Sequence, residues 1–264
     1  MKKLFTILFL FTAFISNAQR SMFASKNNYV APVGPPALVT AGLVLNLDAG
    51  NSSSYIGSGN NWNDLSGNNN DGTLANGPAF NSANGGSIVF DGIDDVISFG
   101  NILNMGLSSW TISCWAKFDG GSGLMGIIGK TSYRSNQGRY GIYIDNANIN
   151  AFFQPSTNNL ITTSIGPYLD NQFHNLVLTI NRASMMYFYV DGVSVGTAVD
   201  VSSTSSIDLN NSDKFYIGSY GSSDGQSPLY FFKGNVGQAL IYNRSLSTQE
   251  VTTNFNVLKS RFGL

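Results

Sequence analysis

Gly42-Leu43-Val44-Leu45-Asn46-Leu47-Asp48-Ala49-Gly50, Trp62-Asn63-Asp64-Leu65-Ser66-Gly67-Asn68 and Gly86-Ser87-Ile88-Val89-Phe90-Asp91-Gly92-Ile93-Asp94-Asp95-Val96 read as a strand, a long polar loop and a second strand. Downstream of them, short strand-like runs recur between Gly, Asn, Asp and Ser: Tyr140 to Ile144, Ile149 to Phe153, Asn175 to Ile180, Met186 to Val190, Val193 to Val195 and Phe215 to Ile217. Spacing of this kind predicts a β-sandwich. Asp191-Gly192, between two such runs, is the strongest hairpin signal in the chain, because a two-residue turn with positive φ matches the twist of its strands. Only the C-terminus reads as helical. Ser247 is an N-cap with Glu250 three residues on, a capping box. Val251, Phe255 and Leu258 then share one apolar face, and Arg261 and Gly263 supply a cationic end and a stop signal.

The opening stretch pairs with a later one, Phe232-Lys233-Gly234-Asn235-Val236 followed by Ile241-Tyr242-Asn243-Arg244-Ser245-Leu246-Ser247. Together they resemble a bacterial laminin-G-like domain of the concanavalin A-like superfamily, across about residues 42 to 264. The resemblance implies an all-β fold, a two-sheet antiparallel jelly-roll sandwich with a short C-terminal α-helix, and a single domain over residues 41–264. It does not name a ligand, since one fold hosts many functions.

Residues 1–18 have the form of an export signal: Lys2 and Lys3, an apolar run from Leu4 to Ile15, and small residues at Ser16-Asn17-Ala18. That run is too short to span a bilayer as a helix, and no later stretch approaches ~20 apolar residues. The mature protein is therefore expected outside the cytoplasm, secreted, periplasmic or at the cell surface, without membrane insertion. Gln19 would head it, which predicts no lipid anchor there. Residues 19–40, with Asn27, Asn28, Pro32, Gly34, Pro35 and Pro36, read as a flexible leader. Without Lys2 and Lys3, 14 basic residues fall to about 12 against 15 acidic, which argues against nucleic acid as a partner. The polarity comes from Asn, Ser, Thr and Gly, which suits sugars. Cys114 is the only cysteine, so an intrachain disulfide is excluded, and alternation with Ile112 predicts a buried small hydrophobe.

Glycosidic cleavage usually needs two carboxyl groups across the bond, and the resemblance implies two glutamates on one strand with an aspartate between them. This chain has one glutamate, Glu250, placed at the helix cap. Asp94-Asp95 is an adjacent pair, but neighbours on a strand face opposite ways. His174 is the only histidine and no Gly-x-Ser-x-Gly elbow accompanies it; it matches a position where laminin-G-like domains carry Trp-His before a core strand, a structural role. No enzyme activity is expected. Calcium takes six to eight oxygens. Loops carrying Asp48, Asn51, Asp91, Gly92, Asp94 and Asp95 would supply them if the first and second strands pair. Many members of that superfamily hold a structural calcium between the N-terminal strands and the C-terminal strand, which makes Asp48, Asp94 and Asp95 candidate ligands here. Where relatives place Asp-Glu before the last strand, however, this chain has Gly237-Gln238. That loss favours the reading of these acids as turn residues using side-chain to backbone hydrogen bonds, with calcium as the alternative.

A sugar site needs an aromatic platform beside amides and backbone groups. The candidates are Trp115, which alternates away from Cys114, Tyr140 and Tyr143 near Arg139 and Asp145, Phe152 near Gln154, and Tyr220. Trp62 and Trp110 are assigned to packing. Arg134-Ser135-Asn136-Gln137-Gly138-Arg139 is the one local basic feature. The expected function is an exported, non-catalytic recognition module for glycans or a glycosylated surface. The alternative is a structural or adhesive domain that packs on protein in a surface or virion-like assembly.

Overall fold

A computed structural model describes residues 37–131, 138–156, 159–166, 168, 170–221 and 227–264. The strands in chain order are β1 (Leu43–Asp48), β2 (Asn61–Trp62), β3 (Gly72–Ala75), β4 (Ala79–Asn81), β5 (Ser87–Asp91) and β6 (Val96–Ser98). There follow β7 (Trp110–Phe118), β8 (Met125–Lys130), β9 (Arg139–Asp145), β10 (Asn148–Ser156), β11 (Asn159–Ile165) and β12 (Phe173–Ile180). The last are β13 (Met185–Val190), β14 (Val193–Asp200), β15 (Tyr216–Ile217), β16 (Ser219–Gly221), β17 (Pro228–Phe231) and β18 (Lys233–Tyr242), and one helix closes the chain, α1 (Thr248–Leu258). The first sheet runs β14-β13-β12-β7-β18-β5-β4, with β1 also on β18; the second runs β11-β10-β9-β8-β15-β6-β3-β2. Every pairing among the described residues is antiparallel. The architecture is the expected jelly-roll sandwich.

Alternation builds the core. Ile112, Cys114 and Ala116 of β7 and Leu176, Leu178 and Ile180 of β12 face Ile142 and Ile144 of β9 and Ile149, Ala151 and Phe153 of β10 in one buried cluster. Cys114 is buried as expected, and burial pushes its thiol up to about 12, so it is inert. Trp62 and Trp110 are fully buried. At the β13–β14 hairpin Asp191 and Gly192 both adopt positive φ, 53° and 78°.

The outward face of the first sheet carries Trp115, Phe173, Val177, Tyr189, Leu240 and Tyr242, and α1 lies over it with Val251, Phe255 and Leu258. The capping box forms: Ser247 Oγ accepts the Glu250 N–H, and Glu250 Oε2 accepts the Ser247 N–H. Glu250 also takes a bidentate pair from Arg244 at 2.7 and 2.9 Å, which holds its carboxyl down at about 2.

The reading of residues 19–40 as leader is corrected at its C-terminal end. Leu38 and Val39 pack under the helix side. Val39 N–H donates to Asn254 Oδ1, and Tyr242 Oη donates to Val39 O, both at 2.9 Å. Two apolar side chains and two buried-group hydrogen bonds outweigh the turn-forming composition upstream. The expected export signal and the rest of the leader lie outside the described residues. No helix among the described residues is long and apolar enough to cross a membrane.

Candidate functional site

With one face of the first sheet under α1, the outward face of the second sheet is where sequence-predicted residues gather. Tyr140, Ile142 and Ile144 point into the core, so Arg139, Gly141 and Tyr143 point out. On β10, Ile149, Ala151 and Phe153 point in, which turns Asn150, Phe152 and Gln154 out. Register then sets Arg139 opposite Gln154, Gly141 opposite Phe152 and Tyr143 opposite Asn150. Arg139 Nη1 donates to Gln154 Oε1 at 2.6 Å, and Nη2 donates to Tyr220 Oη at 2.8 Å and Thr131 O at 3.3 Å. Its guanidinium lies over the rings of Phe152 and Tyr220, at 5.6 and 5.8 Å. Tyr143 meets Phe152 edge-on at 5.5 Å and Tyr220 at 5.3 Å. Four predicted residues, Arg139, Tyr143, Phe152 and Tyr220, therefore form one cluster.

The β16–β17 hairpin lays Tyr220 onto this face. It crosses at Gly126 of β8, where a Cβ would fall 2.2 Å from Ser219 C and Tyr220 N. Tyr230, on the return strand, is 46% exposed, with its ring 6.4 Å from Tyr220, and Leu229 beside it is 44% exposed. Tyr230 adopts φ 52°, a left-handed conformation that costs a bulky residue of order 1–3 kcal/mol and persists only where the surroundings impose it. Within Leu229-Tyr230-Phe231-Phe232 nothing in the sequence marks which aromatics face solvent.

Two predicted platform residues are placed elsewhere. Trp115 does alternate away from Cys114, but it is buried between Phe255 and Phe262, stacked at 5.7 and 4.4 Å; the C-terminal helix occupies the face a sugar would need. Tyr140 is a core residue packed on Trp110 at 4.5 Å, with its hydroxyl donating to Leu103 O. Tyr143 follows it by three positions, an odd step that puts the two on opposite faces. Phe152 and Arg139 are themselves buried, so they form the floor, with Tyr143 and Tyr230 above. Of the basic segment, Gly138 and Arg139 are described; residues 134–137 lie outside the described residues.

The acids also divide. β1 and β5 do not pair with each other; they share one edge of β18 end to end, Asp48 opposite Gln238 and Asp91 opposite Lys233. Asp48 is therefore parted from the other acids by the length of β5. Its carboxylate takes Arg261 Nη1 at 2.7 Å, so a guanidinium fills the role proposed for a cation there. Asp91, Asp94 and Asp95 do converge, with one oxygen of each within 4.8 Å of the others. Asp95 is buried, accepts the Asp91 N–H at 2.9 Å, and has its carboxyl raised by burial and by Asp91 and Asp94. Asp91 Oδ1 in turn accepts the Ile93 N–H at 2.7 Å, a turn role. If this group holds calcium, the ion removes a charge penalty present above the raised Asp95 value. Calcium is then expected to raise the unfolding midpoint at pH 7, and Asp94→Asn to erase the rise; an unchanged midpoint in calorimetry leaves the acids as turn residues.

Residues 91–252, more than half of the chain, match a laminin-G family model described as the concanavalin A-like lectin/glucanases superfamily. The chain belongs to this superfamily. No curated protein sequence matches it significantly. Among solved structures, the binding domain of Paraclostridial mosquitocidal protein 1 superposes with a TM-score of 0.61 at 16% identity, over 81% of this chain and 52% of that one. The binding domain of botulinum neurotoxin DC, solved in complex with rat synaptotagmin II, gives 0.62 at 15% identity, over 82% and 52%. The same domain in complex with SialylT gives 0.62 at 15% identity, over 83% and 52%. This chain thus spans about half the length of these structures, and the likeness is one of fold.

In this concanavalin A-like domain, His174 is held on both sides. Its Nδ1 lies 2.7 Å from Asp191 Oδ2 and its Nε2 3.2 Å from Asp170 Oδ1, so that the protonated ring donates to both carboxylates, while Asp191 Oδ1 accepts the Asn175 N–H. The Asp191 hydrogen bond raises the imidazole above its ordinary value. A raised folded value means stability fully present below about pH 6.5 and lost as pH rises through the folded value. Thermal midpoints are expected to fall as pH rises above about 6.5, and His174→Gln to flatten that slope.

Proposed function

We propose that this chain is an exported, non-catalytic recognition module that binds glycans through the outward face of its second sheet. The observation that carries this reading is the convergence of Arg139, Tyr143, Phe152 and Tyr220, with exposed Tyr230 beside them, on the face that α1 leaves uncovered. Over this buried floor, half-buried Tyr143 and exposed Tyr230 are the rings within reach of the C–H face of a pyranose. Thr162 and Ser164, exposed on neighbouring β11, add hydroxyl groups. The fold is shared with a toxin binding domain seen with SialylT, which supports the reading. Glu250, committed to Arg244 and the helix cap, supports the absence of glycosidase chemistry.

The test is a glycan array with the wild type and Tyr230→Asn. Asparagine tolerates the left-handed conformation far better than tyrosine, so the variant is expected to unfold at the same midpoint or higher while losing at least about tenfold in affinity, the size of one hot-spot truncation. Equal affinity in the variant would refute the role of Tyr230, and silence of the wild type would refute glycan binding. A protein ligand is the second reading. It is favoured by the adjacent exposure of Leu229 and Tyr230 and by a neighbour seen with synaptotagmin II; it predicts cofractionation with a surface assembly and no saturable sugar affinity.

A further inference from the structure

Lys130 ends β8 with its side chain fully buried. Its Nζ donates to two carboxamides, Asn101 Oδ1 at 2.8 Å and Asn104 Oδ1 at 2.5 Å. Leu103, between those asparagines, has φ 54°, an outlier for leucine, and its carbonyl is held by Tyr140 Oη. The loop is thus fixed in a strained shape that presents both amides to one amine. Asn104 is further arranged: its Oδ1 also accepts the Asn211 N–H at 3.2 Å, and its Nδ2 donates to Asn101 Oδ1 at 3.0 Å. Asp213 is buried, tied by its N–H to Asn211 Oδ1 at 3.0 Å, and near enough for its charge to act on Lys130.

We propose that Lys130 and Asn104 join in an intramolecular isopeptide bond, formed by the folded chain itself. The step needs a neutral amine, a polarised carbonyl and a proton carrier. Burial lowers the Lys130 ammonium to about 8, so about a tenth is neutral amine at pH 7. Nζ attacks Cγ of Asn104, forming the N–C bond, and the charge that develops on Oδ1 is stabilised by the Asn211 N–H. The Asp213 carboxylate takes a proton from Nζ and returns it to Nδ2. The Cγ–Nδ2 bond then breaks and one ammonia leaves, through the solvent-exposed side of Asn104. Amine plus primary amide becomes secondary amide plus ammonia, with no oxidant or cofactor. The product ties the β6–β7 loop to the end of β8 and shortens the unfolded chain's reach.

The test is peptide mapping by mass spectrometry of the denatured full chain, incubated at pH 8. The expected result is a branched peptide containing Lys130 and Asn104, lighter by one ammonia than its two linear parts. Asn104→Ala and Asp213→Asn, with folding checked by circular dichroism, are expected to give linear peptides. Linear peptides from the wild type overturn the proposal, as does a deficit that persists in Asn104→Ala. The wild-type measurement decides even if a variant fails to fold.

Discussion

Trp115→Ala is expected to lower stability by about 3–5 kcal/mol, the range for truncating a buried tryptophan, while leaving ligand affinity unchanged in the protein that remains folded. Trp115 is 1% exposed and stacks on Phe255 and Phe262 with interplanar angles of 14° and 16°. Phe262 in turn packs on Phe173 at 4.9 Å. Removing the indole empties the centre of the cluster that fastens α1 to the first sheet. The residues that follow the helix carry Arg261 onto Asp48, so loosening one end disturbs the other. Urea denaturation gives the loss in stability, and titration of a glycan hit at low temperature gives the affinity. Lost affinity with stability intact would make Trp115 a ligand platform and place the site on the wrong sheet.

Gly126→Ala is expected to destabilise by about 1–3 kcal/mol or more and, unlike the change at Trp115, to abolish binding. The added Cβ would lie 2.2 Å from Tyr220 N and 2.3 Å from Ser219 O. Both are backbone atoms, which cannot rotate away, so the β16–β17 hairpin must lift from the sheet. Ser219 Oγ, which bonds both the N–H and the carbonyl of Leu229, would carry the return strand with it. Tyr220 then leaves Arg139, Phe152 and Tyr143, and Tyr230 leaves its place beside them. Full affinity in a folded Gly126→Ala protein would exclude this hairpin from the site. The two substitutions together separate the two outer faces of the sandwich, one tested through its cover and the other through its floor.

Much of this arrangement is written in local pattern. Alternation along Arg139–Asp145 and Asn148–Ser156 assigns Arg139, Tyr143 and Phe152 to one face and sends Tyr140 to the other, because side chains on a strand repeat every two residues. The Asp191-Gly192 turn and the Ser247–Glu250 box follow from residue types within four positions of each other, and the structure contains both. Cover and partnership are different matters. That Trp115 is roofed by a helix 140 residues later, that Asp48 meets Arg261 across 213 positions and not Asp95, and that Tyr230 stands out from an apolar run all depend on contacts between distant segments. The sequence by itself determined the period of each strand, the turn chemistry and the scarcity of acids suited to catalysis, since these are properties of neighbours along the chain. Only the tertiary structure decided what covers each of two equally aromatic faces, the helix on one and the β16–β17 hairpin with exposed Tyr230 on the other, because burial is a property of what packs on top, and nothing local to a strand specifies its cover.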